Sequence, residues 1–258
     1  CIRDSPLSGH APVQIGAPLL GAVRALGARA GCTLNTTLLC AFLALLSRYE
    51  SVDGGPIGCL IACNSRTDDE AITVGFITNL LCVDARIDGG STDFAMLLAS
   101  VHEAVLFGLE HASPFFASVL RHVRQGRRRG RLAYFNVETW RYSTGTELLA
   151  SPLAAPSARN EFDVELKLEL ALLADGSAAG AFEFSRDSYD ATVLAQMAAH
   201  YTALLRAIVE QPSCALIRQP LPSTADEVAI AAAAHRPRDA AACGHETLPW
   251  ARPRARLA

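Results

Sequence analysis

From Phe162 to Leu172 the chain alternates. Phe162, Val164, Leu166, Leu168, Leu170 and Leu172 are apolar, and Asp163, Glu165, Lys167 and Glu169 stand between them. A period of two over that length predicts a strand with one buried and one wet face. Asp175-Gly176 supplies a turn, and Ala179 to Phe184 pairs back as a hairpin. Asp190 then caps a long helix to about Gln211, with Val193, Leu194, Met197, Tyr201, Leu204, Leu205 and Ile208 on its core side.

The earlier part of the chain carries other patterns. Val13 to Ile15 reads as a short strand. Pro18 suits a helix start, where its missing N–H costs nothing. That helix puts Leu19, Leu20, Val23 and Leu26 on one face and stops near Gly31. A second helix follows from Leu34 to Tyr49, apolar round most of its circumference and so buried on nearly all sides. Asp53-Gly54-Gly55-Pro56 turns the chain into a buried strand, Ile57 to Cys63. Another strand is predicted from Leu80 to Ile87, closed by the turn Asp88-Gly89-Gly90. Thr92 then reads as the N-cap of a helix to about His111, with Phe94, Leu97, Leu98, Val101, Val105 and Leu109 facing inward. A short helix from Phe116 to Val123 precedes an arginine-rich loop, and Leu132 to Trp140 reads as a strand. Residues 141–160, rich in Ser, Pro and Ala, read as a loop. Helices interleave with strands, and the last hairpin is antiparallel. The fold class is therefore α/β, a layered sandwich with a mixed sheet. Residues 1–12 read as a linker, 13–221 as one lobe, and 222–258, which lack any period, as a disordered tail.

Composition narrows the picture. Half of the 258 residues are hydrophobic, enough for a sizeable core. The longest apolar run, Leu38 to Leu46, is far short of the roughly twenty residues of a spanning helix, so no membrane role is expected. A net charge of −3 gives no argument for nucleic acid as partner, and none is expected. Lys167 is the single lysine; every other side-chain cation of the Lys/Arg pair is arginine, which fits a GC-rich bacterial source. Of the eight cysteines, Cys32, Cys40, Cys59, Cys63 and Cys82 lie inside apolar segments. With no leader sequence at the start of the chain, they read as free thiols in a reducing, cytoplasmic compartment. Cys59 and Cys63 lack the two-residue spacing of a zinc site, and no metal is expected. The chain opens on Cys1 rather than Met, as a piece of a longer polypeptide would.

No phosphate-binding glycine loop, G-x-S-x-G elbow or paired-histidine helix is present. His235 and Asp239 have H-x-x-x-D spacing, but in the shapeless tail. What does stand out is an ordered set of segments. "GCTLNTTLLCAFLALLSRY", "IGCLIACNSR", "VGFITNLL", "EHASPFFASVL", "NEFDVELKLEL" and the closing amphipathic helix occur in that order. Together they resemble the C-terminal half of a nonribosomal peptide synthetase condensation domain, of the chloramphenicol-acetyltransferase-like superfamily. The likeness runs from about Val13 to Leu221. "VGFITNLL" is similar to the family's I-G-x-F-V-N-T, and "EHASPFFASVL" to H-Q-D-x-P-F-E. In the latter only His111 and Phe116 align well; Ala112 and Ser113 replace Gln and Asp.

The resemblance implies amide formation between carrier-tethered aminoacyl and peptidyl groups, in nonribosomal and antibiotic biosynthesis. It implies no cofactor bound by this chain, the phosphopantetheine arm being supplied by a partner carrier protein. Implied partners are the N-terminal lobe, peptidyl carrier proteins and an adjacent adenylation domain. The family's H-H-x-x-x-D-G signature is absent, since no two histidines are adjacent. This chain alone is therefore expected to be inactive, with no catalytic residue of its own. A noncatalytic binding lobe and a related acyltransferase or epimerisation domain stay open as alternatives. Gly75, Phe76, Asn79, His111 and Phe116 are the residues that the resemblance places along the substrate tunnel. Asn79 has a second reading, in which its amide satisfies backbone groups at a turn. His111 also fits the end of a helix without any chemistry. Arg121, Arg124, Arg127, Arg128, Arg129 and Arg131 could dock an acidic carrier or form a solvated charged loop.

Overall fold

The computed structural model describes residues 8–49, 57–64, 78–87, 90–112, 133–138, 166–185 and 189–219, with positions 114, 116, 118, 119 and 164. The strands are β1 (Ser8–Ile15), β2 (Ile57–Asn64), β3 (Thr78–Ala85), β4 (Ala133–Glu138), β5 (Leu166–Leu172) and β6 (Ala178–Ser185). The helices are α1 (Ala17–Arg29), α2 (Leu34–Tyr49), α3 (Phe94–Glu110) and α4 (Ala191–Glu210). The strands form one mixed sheet in the order β1-β6-β5-β4-β2-β3. Pairs β2–β4 and β4–β5 are parallel. Pairs β1–β6, β5–β6 and β2–β3 are antiparallel.

One face of this sheet makes the core. Val13, Ile15, Cys59, Ile61, Val83, Phe135, Leu168 and Phe182 point into it, together with the buried leucines, valines and aromatics of all four helices. α2 lies at the centre, with every residue from Thr36 to Leu46 buried. Thr33 caps its start, its Oγ1 accepting from the Thr36 N–H at 3.1 Å. Phe42 stacks on Phe135 (centroids 5.8 Å) and tilts against Phe182 (6.0 Å). Tyr201 of α4 is fully buried, and its hydroxyl donates to the Leu38 carbonyl at 3.0 Å. Cys32, Cys40, Cys59 and Cys63 are buried thiols outside any disulfide, whereas Cys82 is exposed on β3.

The expected hairpin forms. Gly176 takes φ +82° in its turn, where a side chain would be strained. Asp175 Oδ1 accepts from the backbone N–H and hydroxyl of Ser177 at 2.9 and 2.6 Å. Asp190 caps α4, accepting from the Thr192 N–H at 2.8 Å.

Three expectations change. β1 begins at Ser8, inside the stretch read as a linker, because pairing with β6 extends it through Gly9 and Pro12. The cap of α3 is Asp93, not Thr92. Asp93 Oδ1 accepts from the Met96 N–H at 2.9 Å, while the Thr92 carbonyl is taken by the Leu216 N–H. Leu109, expected inward, is 45% exposed. The arginine-rich loop, residues 141–160 and the tail lie outside the described residues.

The chain continues past α4 into a short 3-10 turn, Leu216–Arg218, fastened to the body. Arg48 Nη1 donates to the carbonyls of Leu216 (2.8 Å) and Gln219 (3.3 Å).

The centre of this core sets the stability. Phe42→Ala should cost about 3–5 kcal/mol, since it removes two ring contacts and leaves a cavity. Met96→Ala, at a 58% exposed position, should change stability by less than about 0.5 kcal/mol. Urea denaturation of the two variants checks the contrast.

Candidate functional site on the open face of the sheet

Strand geometry sends alternate side chains to opposite faces, so each core-facing residue leaves a neighbour on the other side. Among the described residues the four helices pack on the core face alone. The opposite face carries a small second cluster: Leu60, Phe116 and Val164 are buried, with Leu80 and Tyr134 against them. Beside it stand polar side chains. Lys167 Nζ lies 3.7 Å from Glu183 Oε2. His10 Nδ1 lies 4.0 Å from the other oxygen of Glu183. Glu169 and Tyr134 complete the group.

Electrostatics in this group follow from partial burial. Loss of solvation pushes the Glu169 carboxyl pKa up, Lys167 pulls it down, and Glu183 and Glu138 push it up further. The Tyr134 phenol is raised by burial first, then by Glu169, Cys59 and Glu138, and stays protonated at neutral pH.

Asn79 holds the edge of the apolar cluster in place. It sits at the start of β3 and is 9% exposed. Its Nδ2 donates to the carbonyls of Ala112 (2.8 Å) and Pro114 (2.9 Å). Its Oδ1 accepts from the backbone N–H of Leu80 (2.9 Å) and Phe116 (3.0 Å). Two donors and two lone pairs are the whole capacity of a carboxamide, and all are used. The amide therefore has nothing left for a substrate. Of the two readings of Asn79, the geometry selects the backbone one. It binds β3 to the segment after α3 and brings Phe116 over Leu60.

His111 is the C-cap of α3 and is exposed. Its Nδ1 lies 2.9 Å from the Phe107 carbonyl, and its ring stacks on Phe107 at 4.3 Å. The ring is folded back on its own helix, as a cation-capable side chain at a helix C-terminus favours. Asn79 and Phe116 are thus brought together, while His111 occupies the helix end. Gly75, Phe76 and the arginines Arg121, Arg124, Arg127, Arg128, Arg129 and Arg131 lie outside the described residues. Sequence reasoning alone misses Tyr134, Glu169, Lys167 and Glu183 as site residues. The alternation from Phe162 to Leu172 puts Lys167 and Glu169 on a wet face, and that is the one signal for them.

The sequence matches the Condensation domain family over residues 11–230, and the chain belongs to that family. It is similar to a linear gramicidin synthase chain of Brevibacillus parabrevis, 29% identical over 230 residues. That alignment covers 87% of this chain and 4% of the synthase. Its fold is similar to the first condensation domain of the calcium-dependent antibiotic synthetase, with TM-score 0.65 and 14% identity, covering 85% of this chain and 47% of that one. It is also similar to the X-domain in a complex with OxyB from teicoplanin biosynthesis, with TM-score 0.66 and 17% identity, covering 86% and 50%. The chain therefore spans about half of each of these solved structures and a small part of the synthase.

Removing the Asn79 amide strands two carbonyls and two N–H groups. Asn79→Ala should cost about 1–3 kcal/mol, the penalty of an unsatisfied buried polar group. Amide exchange at Phe116 should accelerate in the same variant. Unchanged stability and exchange would contradict the assignment.

Proposed function

We propose that this chain is the C-terminal lobe of a condensation domain and works as one wall of a chamber in which amide bonds form between carrier-tethered acyl groups. The observation that supports this most is the open sheet face. A sheet covered by helices on one side, with an apolar cluster and half-buried charges on the other, suits a lobe that packs against a companion. The companion supplies the paired-histidine motif that this sequence lacks. In the reaction, the amine of one carrier-bound aminoacyl group attacks the thioester on another. The C–N bond forms, the C–S bond breaks, and the sulfur leaves on the phosphopantetheine arm, taking up the proton that the amine gives up. Holding the two tethered reactants close and aligned is the main source of rate. This chain contributes the wall and its polar groups, and the carriers contribute both arms. An adenylation domain would load the acceptor carrier.

A second reading, a lobe that binds a partner without condensing anything, draws on the likeness to the X-domain, whose solved complex contains OxyB.

One experiment separates the two. The isolated chain, mixed with loaded donor and acceptor carriers, should give no dipeptidyl product above the carrier-only background. Adding a lobe that bears H-H-x-x-x-D-G should produce a complex on size exclusion and dipeptidyl carrier by mass spectrometry. Complex without product would favour the binding reading. Product from the isolated chain would overturn both.

A further inference from the structure

The open face holds two polar groups that the fold does not use. Cross-strand register lines up His10, Glu183, Lys167, Tyr134, Leu60 and Cys82 in one row from β1 to β3. In the next row Glu169 stands between Ala181 and Asn136. Charge is shared unevenly along these rows. Glu183 takes the single lysine at 3.7 Å and approaches His10 at 4.0 Å. Glu169 and Tyr134 are left over. Both are partly buried, and neither has a hydrogen bond or ion pair among the described residues.

A partly buried carboxylate with no hydrogen bond and no contact ion pair, eased only by the charge of Lys167 further off, is unfavourable for the fold. Its neighbours point to what the position is for. On β6, Ala181 and Ala179 put only small side chains next to Glu169, and Ala171 does the same on its own strand. Across β4 lies the apolar cluster of Leu60, Leu80 and Phe116, with the Tyr134 ring at its border. A small group that is cationic at one end and apolar behind it fits such a junction. In a chamber for amide formation, the reactant of that description is the acceptor, whose free amine is an ammonium at neutral pH.

We propose that Glu169, with the Tyr134 hydroxyl beside it, binds the primary ammonium group of the aminoacyl acceptor on the open face. The inference rests on the condensation reading. The ammonium supplies three donors; the carboxylate accepts from it, and the phenol oxygen accepts a further bond. The acceptor side chain then lies toward Leu60, Leu80 and Phe116. Groups facing Glu169 are Lys167, Glu183, Glu138 and Tyr134, with His10 beyond Glu183. Because burial and the two other carboxylates raise its pKa, Glu169 gains a proton at a higher pH than an ordinary carboxyl. Ammonium binding is therefore strongest between that raised pKa and the pKa of the amine itself, about 7.7–8.0, and is lost as pH falls through the first or rises through the second.

The test uses the full chain and two probes, alanyl-pantetheine amide with a free amine and its N-acetyl derivative. Affinity is read by isothermal titration at neutral pH, where the amine is an ammonium, and then at successively more acid pH. The free-amine probe should bind roughly tenfold more tightly at neutral pH, and the preference should shrink on acidification. Glu169→Gln should bring the two probes to within about twofold, a loss of one charge-assisted bond. Its melting temperature should change little, because the carboxylate has no hydrogen bond or contact ion pair to lose and the pull of Lys167 is opposed by burial, Glu183 and Glu138. Tyr134→Phe, which keeps the ring, should lower the preference by about threefold. Equal affinity of the two probes, binding of neither, or a preference that survives Glu169→Gln would overturn the proposal. The condensation reading is tested separately. If carriers and companion lobe give product while the probes are not distinguished, only this assignment falls. If the probes are distinguished and no product forms, Glu169 stands as an ammonium site, while the condensation reading falls and takes with it the assignment of that ammonium to a condensation acceptor.

Discussion

The helix layer covers one face of the sheet, and the remaining arrangement depends on that asymmetry. α2 can be buried all round because it lies between β2 and β4 beneath it and the other three helices around it. Every strand then alternates a residue into this core with one onto the far face. That far face is where the chain places its half-buried charges and its second apolar cluster. A monomeric domain would cover such a surface or fill it with well-solvated residues. Among the described residues the chain does neither. Such a face suits the companion lobe proposed above.

Asn79 joins the two sides of this design. Without it, the carbonyls of Ala112 and Pro114 and the N–H of Phe116 would lose this partner. With it, Phe116 is fixed over Leu60 and the cluster has a border. One buried carboxamide thus connects a helix end to a strand start, and it does so through backbone atoms. Side chains around it can vary as long as the carbonyls and N–H groups keep their positions.

Much of the fold was legible because its signals are local. The alternation of β5, the capping aspartate of α4 and the all-apolar run of α2 each announce their element within a dozen residues. The misreadings share a different cause, contacts distant in sequence. β1 runs back to Ser8 because β6 is there to pair with it. Gly9 lies opposite Phe184, and a Cβ at Gly9 would strike that ring. Nothing in "SGHAP" alone says so. Thr92 and Asp93 are equally good caps by type, and the choice falls to Asp93 because the Thr92 carbonyl is claimed by Leu216. Asn79 was recognisable as a polar break in an apolar stretch. Three of its four partners lie 33 to 37 residues further on, so its role could not be read from its neighbours. The open-face group was half visible: the sequence showed Lys167 and Glu169 sharing a wet face but not that Tyr134 and Glu183 join them.

The central claim is that the open face, and not the helix layer, meets the companion lobe. Hydroxyl-radical footprinting of the chain, alone and with that lobe in excess, tests it directly. Tyr134 and Cys82 report the open face; Met96 and Phe107, both exposed on α3, report the helix side. The account predicts that oxidation of Tyr134 and Cys82 falls in the complex while Met96 and Phe107 are oxidised as before. Protection of Met96 and Phe107 with Tyr134 and Cys82 unchanged would contradict it.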